Sequence, residues 1–260
     1  MGEFSSLPLN ILSLGRRDYV EVWELQRKLQ RALLDGEGTQ TLILCEHNPV
    51  ITYGKSSDRN NILLSKAELA TRGVQVHEIE RGGDVTYHGP GQLVGYPILD
   101  LRTRRRDVGW YMRSLEDVIV QTLQQFGIDG VTEDGRTGVW TRPSDFDKTL
   151  KLQKIASIGV RLSRWCTLHG FSLNVFDCRD GFSLINPCGF KDIETSSIER
   201  LAYSAAKDRS SDQVASTVVG KELSLGEVTN ILVPIFCDKF AFQPSQQVMH
   251  EDLELESLPI

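Results

Sequence analysis

The segment RGGDVTYHGPGQ, residues 81–92, decides the fold because it separates two apolar runs with four glycines and a proline. Such a stretch predicts a loop between two strands, which we place at residues 74–79 and 92–99. Glycine allows a backbone to approach another group closely, although a hairpin that needs glycine only for its turn is the simpler alternative. The arginine, tyrosine and histidine in the same stretch favour a binding site. A phosphate-binding P-loop is excluded because no Gly-Lys-Ser/Thr follows.

Outward from this loop, strands and capped helices follow each other without regular alternation. Further strands are predicted at residues 9–14, 41–45, 50–53, 138–141, 152–162 and 167–175. Helices are predicted to begin after residues whose side chains can cap a first turn, namely Asp18, Ser65, Asp107 and Ser224. Pro234 should bend or shorten the last helix. The expected fold class is therefore α/β of the mixed α+β kind: one mixed β-sheet flanked by helices, and not a repeating βαβ fold.

A division of the chain is expected near residue 203. Residues 1–203 are predicted to form the catalytic domain, and residues 204–260 a variable connector, a helix and an acidic tail. The connector is rich in serine, alanine, aspartate and lysine, and residues 142–149 are a second polar insertion that we interpret as a loop. The sequence assigns no role to either segment.

Composition limits the classes of function. The chain has 260 residues, 40% hydrophobic and 25% charged, with a net charge of -6, which disfavours binding to bulk nucleic acid. No apolar run reaches the roughly 18 residues that span a bilayer. The N-terminus has neither a secretory core nor an arginine-rich transit helix, so we expect a cytoplasmic protein; an organellar version stays open if a targeting segment is missing. Five cysteines without regular spacing indicate reduced thiols.

One basic cluster stands out in this acidic chain, formed by Arg102, Arg104, Arg105 and Arg106. It predicts either a solvated loop or a patch that docks an acidic partner.

Two further segments carry candidate chemistry. KIASIGVR, residues 154–161, places Lys154 in an apolar strand pattern, where a desolvated lysine loses proton affinity and can act as a base. The alternative is a lysine at a strand edge that reaches water. NPCG, residues 186–189, places Cys188 between a proline and a glycine, which indicates a tight turn exposing the thiol. Most cysteines are buried apolar residues, and the other four lack comparable surroundings.

Together with HGFSLNV, residues 169–175, these segments resemble the lipoyl(octanoyl) transferase family. The family pattern is Arg-Gly-Gly-x-x-Thr-Tyr/Trp-His-Gly-Pro-Gly-Gln, then Lys-Ile/Leu-Ala-Ser/Ala-Ile-Gly, then His-Gly-Phe/Leu-Ala-Leu-Asn, then Pro-Cys-Gly. Every block is present in this order, and the resemblance extends from about Leu14 to about Leu201. Ser172 replaces the usual alanine, and Asn186 precedes the Pro-Cys-Gly block.

The resemblance implies the mixed α/β fold of biotin and lipoate protein ligases, and octanoyl transfer through a cysteine thioester. It assigns the acyl-accepting nucleophile to Cys188, and to Lys154 the role of lowering the pKa of that thiol. The implied substrate-binding residues are Arg81, Gly82, Gly83, Asp84, Val85, Thr86, Tyr87, His88, Ser157, Ile158, Gly159, Gly170, Phe171 and Ser172.

The resemblance also implies partners. The donor is octanoyl-acyl carrier protein, and the acceptors are lysines on lipoyl domains of 2-oxoacid dehydrogenase complexes and on the glycine cleavage H protein. It implies no cofactor, no metal, and neither a nucleic-acid nor a membrane partner.

Three alternatives stay open at this point. An ATP-dependent lipoate or biotin ligase on the same scaffold would activate a free acid and would need no cysteine nucleophile. A structural zinc module could use Cys166, His169, Cys178 and Cys188 as ligands, although their spacing is unusual. A non-catalytic binding domain would keep the scaffold alone, which the presence of both Lys154 and Cys188 disfavours.

Overall fold

The computed structural model describes residues 6–54, 57–142, 151–187, 193–202 and 223–249, with backbone alone for 246–249. The described strands are β1 Leu7–Arg17, β2 Thr41–His47, β3 Val50–Gly54, β4 Gln75–Ile79, β5 Thr86–His88, β6 Gln92–Ile98, β7 Gly130–Glu133, β8 Arg136–Thr141, β9 Gln153–Ser163, β10 Cys166–Asn174, β11 Glu194–Thr195 and β12 Phe242–Met249. The helices are α1 Tyr19–Asp35, α2 Lys66–Thr71, α3 Val108–Gln124, α4 Arg179–Phe182 and α5 Leu225–Phe240.

Nine of these strands form one mixed sheet in the order β12-β1-β2-β6-β10-β9-β8-β7, with β11 paired to β9. The β12–β1, β1–β2 and β11–β9 pairs are parallel, and the others in this sheet are antiparallel. A second sheet, in the order β4-β3-β5, carries the glycine-rich segment. The predicted mixed sheet flanked by helices is therefore confirmed, although the predicted strands β3 and β4 lie in the second sheet and not in the main one.

Four of the helices begin at the predicted caps. The side chain of Asp18 accepts a hydrogen bond from the backbone of α1 at 2.9 Å, and Asp107 does the same for α3 at 2.8 Å. Ser65 and Ser224 cap α2 and α5 at 3.3 and 3.0 Å. These bonds satisfy amide groups that have no partner inside a helix. Among the described residues, no helix is both long and apolar enough to cross a membrane.

The main sheet is buried on both faces, because side chains alternate along each strand. In β2, Leu42 and Leu44 pack in the core that contains α3 and α5, whereas Ile43 and Cys45 pack in the core that contains α1. A third core joins the small sheet to α2 and α4. These layers hold β9 and β10 in the centre of the molecule, beside the glycine-rich segment.

Some elements differ from the sequence expectations. α5 runs six residues beyond Pro234, so the predicted shortening is wrong; its apolar residues on both sides of the proline are buried in the core with α3. Strands β5, β7, β11 and β12 and the short helix α4 were not predicted. β12 is an edge strand that contains Pro244, and an edge tolerates proline because an outward N–H is not needed for pairing. Residues 143–149 of the predicted loop, the whole connector and the predicted acidic tail lie outside the described residues.

Candidate active site

A cavity of about 490 Å³ lies between the glycine-rich segment and strands β9 and β10. Nearly all the described residues that the resemblance implies for the site line it together: Arg81, Gly82, Gly83, Asp84, Val85, Thr86, His88, Lys154, Ser157, Ile158, Gly159, Gly170, Phe171 and Ser172. Three sequence motifs, separated by up to 91 positions (172 − 81), therefore meet at one place.

Glycines allow the loop to rest directly on the sheet. The amide of Gly82 donates to the carbonyl of Val160 at 3.1 Å, which fixes the loop against β9. Gly159 lies opposite, where an added Cβ would come within 3.1 Å of both Arg81 Cδ and the Gly82 carbonyl. Its cross-strand neighbour Gly170 faces the carbonyl of Gly95 so closely that a Cβ would lie 2.0 Å away. These positions need glycine for close approach and not for turn geometry.

Charges along the cavity wall are unequal. Among the described lining residues, Arg81, Arg136 and Lys154 carry positive charge and Asp84 is the one carboxylate. The Arg81 guanidinium donates to the carbonyl of Thr52 at 2.8 Å and to that of Gly82 at 3.0 Å. The wall therefore favours negative charge, such as a thiolate or the oxyanion of acyl transfer.

Lys154 is buried, with 4% of its surface exposed, so the strand-edge alternative does not hold. Its ammonium group donates to the carbonyl of Thr137 at 3.1 Å. It also lies 5.1 Å from the centre of the Trp140 ring, within reach of a cation–π contact. Thr137 and Trp140 follow the turn between β7 and β8, and sequence reasoning did not single them out. Neither residue belongs to a sequence motif. Their contacts with Lys154 depend on how β8 pairs with β9, which the sequence alone does not reveal.

His88 is buried and neutral. Burial, reinforced by nearby His47 and Arg81, lowers the pKa of His88 to about 3. The Gln92 amide nitrogen donates to the Tyr87 carbonyl and to the Asn174 side chain, which leaves the Gln92 oxygen facing His88 Nδ1 at 3.2 Å. Nδ1 therefore carries the proton, and Nε2 is an acceptor. With so low a pKa, His88 can orient a donor but cannot retain a proton near neutral pH.

Tyr87 is the one described member of the implied set that does not line the cavity. Its ring packs edge-on against Phe182 with centroids 5.9 Å apart. It also occupies the space where a Cβ of Gly89 or Gly181 would lie, 2.1 Å from the ring atoms or hydroxyl. Tyr87 therefore packs on the side of β5 that faces away from the cavity, because alternate residues of a strand face opposite sides. From there it supports the glycine-rich segment.

The wall also contains polar residues that were not predicted as site residues, namely Tyr19, Tyr96 and His169. His169 adopts a left-handed backbone conformation, with φ of 60°. Burial is the main cause that lowers its pKa to about 4, so this imidazole is neutral as well. His169 opens the third motif, which was the available signal, but its unusual φ could not be read from sequence.

Cys188 lies outside the described residues. Pro187 and Ile193, which border the undescribed residues 188–192, both line the cavity. The other four cysteines are buried, and burial raises their thiol pKa: to about 11 for Cys166 and Cys237, to about 12 for Cys178, and further for Cys45. None of these four is a thiolate near neutral pH, so none is a competent nucleophile.

Comparison with known proteins gives the family. The family model described as the lipoyl protein ligase A/B catalytic domain matches residues 18–221. The chain belongs to this family. Within it, the chain is 50% identical over 199 residues to an octanoyltransferase of Acidobacterium capsulatum, covering 74% of this chain and 79% of that protein. It is 40% identical over 254 residues to an octanoyltransferase of Koribacter versatilis, covering 96% and 88%.

Solved structures support the lipoyl protein ligase A/B fold independently. A lipoate-protein ligase A bound with ATP matches with a TM-score of 0.65 at 14% identity, covering 96% of this chain and 92% of that one. A bipartite lipoate protein ligase from Thermoplasma acidophilum matches with a TM-score of 0.63 at 15% identity, covering 96% and 90%. At these identities the likeness shows the fold alone. The expected ligase-like fold and the resemblance to octanoyltransferases are both confirmed.

The structure bears on two further hypotheses from the sequence, the zinc module and the basic docking patch. Within the described residues no three metal-binding side chains come together, so three of the four ligands of the zinc alternative do not form a site. In the basic cluster, Arg104 is buried and donates to the carbonyls of Phe240 and Ala241, while Arg102 and Arg105 pair with aspartates. The cluster is therefore not a uniformly free docking patch.

Proposed function

We propose that this chain transfers an octanoyl group from octanoyl-acyl carrier protein to a lysine of lipoyl domains, through a thioester on Cys188. The observation that carries the proposal is the cavity in which the glycine-rich segment, Lys154 and Pro187 meet. Consecutive Cα atoms are about 3.8 Å apart, so covalent connectivity keeps residue 188 next to Pro187. Relatives named octanoyltransferase, 39–50% identical, support the same reaction.

The first step is an exchange of thioesters. The Cys188 thiolate attacks the octanoyl carbonyl, the bond to the carrier's sulfur breaks, and that sulfur leaves as a thiolate that takes up a proton. A free cysteine is only a few per cent thiolate near neutral pH, so a nearby cation increases the reactive fraction. The Lys154 ammonium provides this cation. Because one thioester replaces another, the step depends on positioning more than on driving force.

The second step forms an amide. The amine of the acceptor lysine attacks the Cys188 thioester, the carbon–sulfur bond breaks, and the Cys188 sulfur leaves as a thiolate. The proton released by the amine passes to this thiolate, because the Lys154 ammonium has no lone pair with which to accept it. His88 is a poor holder of that proton, because burial lowers its pKa to about 3. We assign it to orienting the substrate through Nε2.

The cavity suits the polar end of an acyl substrate on one side and its chain on the other. Gly82, Gly83 and Gly159 let the backbone approach the thioester closely, while Met112 and Phe171 provide apolar wall. The acceptors we propose are lipoyl domains, including those of 2-oxoacid dehydrogenases and the glycine cleavage H protein. We propose the cytoplasm as the place of action.

A transfer assay without ATP tests this function. Purified chain is mixed with octanoyl-acyl carrier protein and a lipoyl domain, and the mass of the lipoyl domain is followed. We expect the domain to gain one octanoyl group without any nucleotide. A requirement for ATP and free octanoate would instead identify the ATP-dependent ligase.

A further inference from the structure

Glu116, Thr137 and Gly138 form a group around Lys154 that we call the lysine seat. We propose that Glu116 and Gly138 are positioning residues, which hold the Thr137 carbonyl and the Lys154 ammonium at the place where the thiol is activated. This inference rests on the proposed function, since it concerns how Lys154 is placed for that reaction. It assigns roles to two residues that no motif marked.

Gly138 makes the space that the lysine side chain fills. Its φ is 119°, a conformation that residues with a Cβ rarely adopt. A Cβ at this position would lie 2.8 Å from Lys154 Cε and 3.3 Å from Nζ. It would also lie 2.5 Å from the carbonyl of Ala156. Any side chain here must therefore displace either β9 or the lysine itself.

The strand pairing changes at the same place. Val139 pairs with Ala156, but the next residue, Trp140, pairs with Lys154, so β9 contains one extra residue between the two pairs. Such a bulge turns a side chain away from its regular direction, and bulges are common beside active sites. The bulge and Gly138 together bring the ammonium to the Thr137 carbonyl, at 3.1 Å.

The Glu116 side chain links strand β8 to helix α3. From α3, its carboxylate accepts a hydrogen bond from the backbone amide of Gly138 at 3.1 Å. The Thr137 carbonyl belongs to the same peptide group as that amide, so Glu116 fixes the orientation of the lysine's acceptor. A carboxylate that receives the N–H also polarises the peptide and makes its carbonyl a stronger acceptor for an ammonium group.

The neighbouring residue on the same helix provides a matched control. Asp117 also carries a carboxylate, but it accepts from Lys239 of α5 and from Gln121, away from the seat. Gly127 is the control for Gly138. Its φ of 68° also makes substitution strain the backbone, although less than the φ of 119° at Gly138, and an added Cβ there has no neighbour within 4 Å.

The experiment measures alkylation of Cys188 by a small reagent across pH, together with kcat and KM for octanoyl transfer. Lys154→Ala sets the reference, with its profile shifted to higher pH because the thiolate is less favoured. Glu116→Ala and Gly138→Ala should shift the profile in the same direction and lower kcat about tenfold, with KM for the carrier unchanged. Glu116→Gln, which keeps an acceptor oxygen, should restore part of the rate. Asp117→Asn and Gly127→Ala should leave the profile in place.

Three results would overturn the inference. One is a wild-type profile in Glu116→Ala, another is an equal shift in Asp117→Asn, and the third is a loss of thermal stability that fully accounts for the loss of rate. If Gly138→Ala does not fold, the two Glu116 variants decide alone. If Lys154→Ala itself leaves the profile unchanged, the result contradicts thiol activation by Lys154, which belongs to the proposed function. It is thereby distinguished from a failure of Glu116 and Gly138 to position the lysine.

Discussion

Three buried histidines are neutral: His88 and His169 line the cavity, and the ring of His47 lies behind His88 with centroids 6.1 Å apart. His47 donates from Nδ1 to the carbonyl of Arg17 at 3.1 Å, so its Nε2 accepts from the hydroxyl of Tyr96 at 2.8 Å. Burial is the largest cause that lowers each pKa, to about 4 for His47, 3 for His88 and 4 for His169. Neutral rings keep extra positive charge away from a wall that already carries Arg81 and Lys154.

These pKa values predict how stability depends on pH. Each histidine has a pKa near 6.5 when unfolded and a lower one when folded, so its contribution is complete above about pH 6.5. Below that pH the unfolded chain binds protons that the folded chain excludes. The free energy of unfolding should therefore fall by about 1.4 kcal/mol per pH unit for each histidine as pH drops towards 4.

The variant His47→Gln isolates one of these contributions. Urea unfolding of both proteins between pH 7 and pH 5 should show a slope about one proton smaller in the variant. His77→Gln, at a half-buried position on β4, is the comparison variant. Equal slopes for His47→Gln and wild type would contradict the neutral buried imidazole.

At the scale of single residues, the sequence predicted which residues belong to the site better than it predicted what they contact. Lys154 could be predicted because a charged residue interrupts an apolar strand pattern. Its acceptor, the Thr137 carbonyl, could not, because the pairing of β8 with β9 contains a bulge that no local pattern marks. Tyr87 belongs to a site motif by position, yet it faces the core behind the loop.

At the scale of elements, Asn61 joins the two segments to which we assign the chemistry. Its side chain donates to the Asp84 carboxylate in the glycine-rich segment at 2.6 Å. Its backbone carbonyl accepts from the amide of Asn186, two residues before Cys188. The short helix Arg59–Asn61 therefore links the glycine-rich segment to residues 186–187, which we call the cysteine segment.

Asn61→Ala should cost about 1–3 kcal/mol of stability, because the partly buried Asp84 carboxylate loses the hydrogen bond to Oδ2. It should also lower the transfer rate, since the loop is no longer tied to the cysteine segment. Urea unfolding and single-turnover transfer measure the two effects. The control is Asn60→Ala, since Asn60 is exposed on the same turn and should be silent in both. If Asn61→Ala also changed neither the stability nor the transfer rate, this role would be contradicted.

The contact between the loop and β9 gives a second prediction at this scale. In Gly159→Ala the new Cβ would press on Arg81 and Gly82 at 3.1 Å, without the strain of a positive φ. Transfer should therefore fall more than thermal stability does. Gly83→Ala is the contrasting variant, because Gly83 has a φ of 84° and substitution there strains the backbone. Similar stability losses in both variants would contradict a specific effect at Gly159.

Helices were easier to predict than short strands. The caps at Asp18, Ser65, Asp107 and Ser224 are local signals that the structure satisfies directly. β5 is three residues long, and β12 is polar and contains a proline, so neither shows the alternation of a half-buried strand. Their existence depends on pairing with distant strands.

At the scale of the whole molecule, the C-terminal part of the described chain contributes to the main core. α5 buries Val228, Leu232 and Phe236 in the same core as α3, and β12 extends the sheet beyond β1. Arg104 links these elements, since it donates to carbonyls at the end of α5 and lies over the Phe242 ring at 4.4 Å. These supporting elements therefore follow the candidate site residues in the sequence.

Arg104→Ala should lower the free energy of unfolding by about 2 kcal/mol, because buried carbonyls lose a charged donor. Arg106→Ala, at an exposed position, should change it by less than about 0.5 kcal/mol. Urea unfolding measures both. Equal effects would contradict a structural role for Arg104.

Docking of the carrier, if it uses this cluster, should instead respond to reversal of Arg105 and Arg106, with slower association at low salt.

Cys188 is the proposed carrier of the octanoyl group, and the intact mass of the protein shows whether this thioester forms. Wild-type protein exposed to octanoyl-acyl carrier protein should gain one octanoyl group, and a lipoyl domain should then remove it. Cys188→Ala should gain nothing, while Cys178→Ala, which removes a buried thiol of raised pKa, should still be labelled. A stable octanoyl adduct on Cys188→Ala would contradict the account.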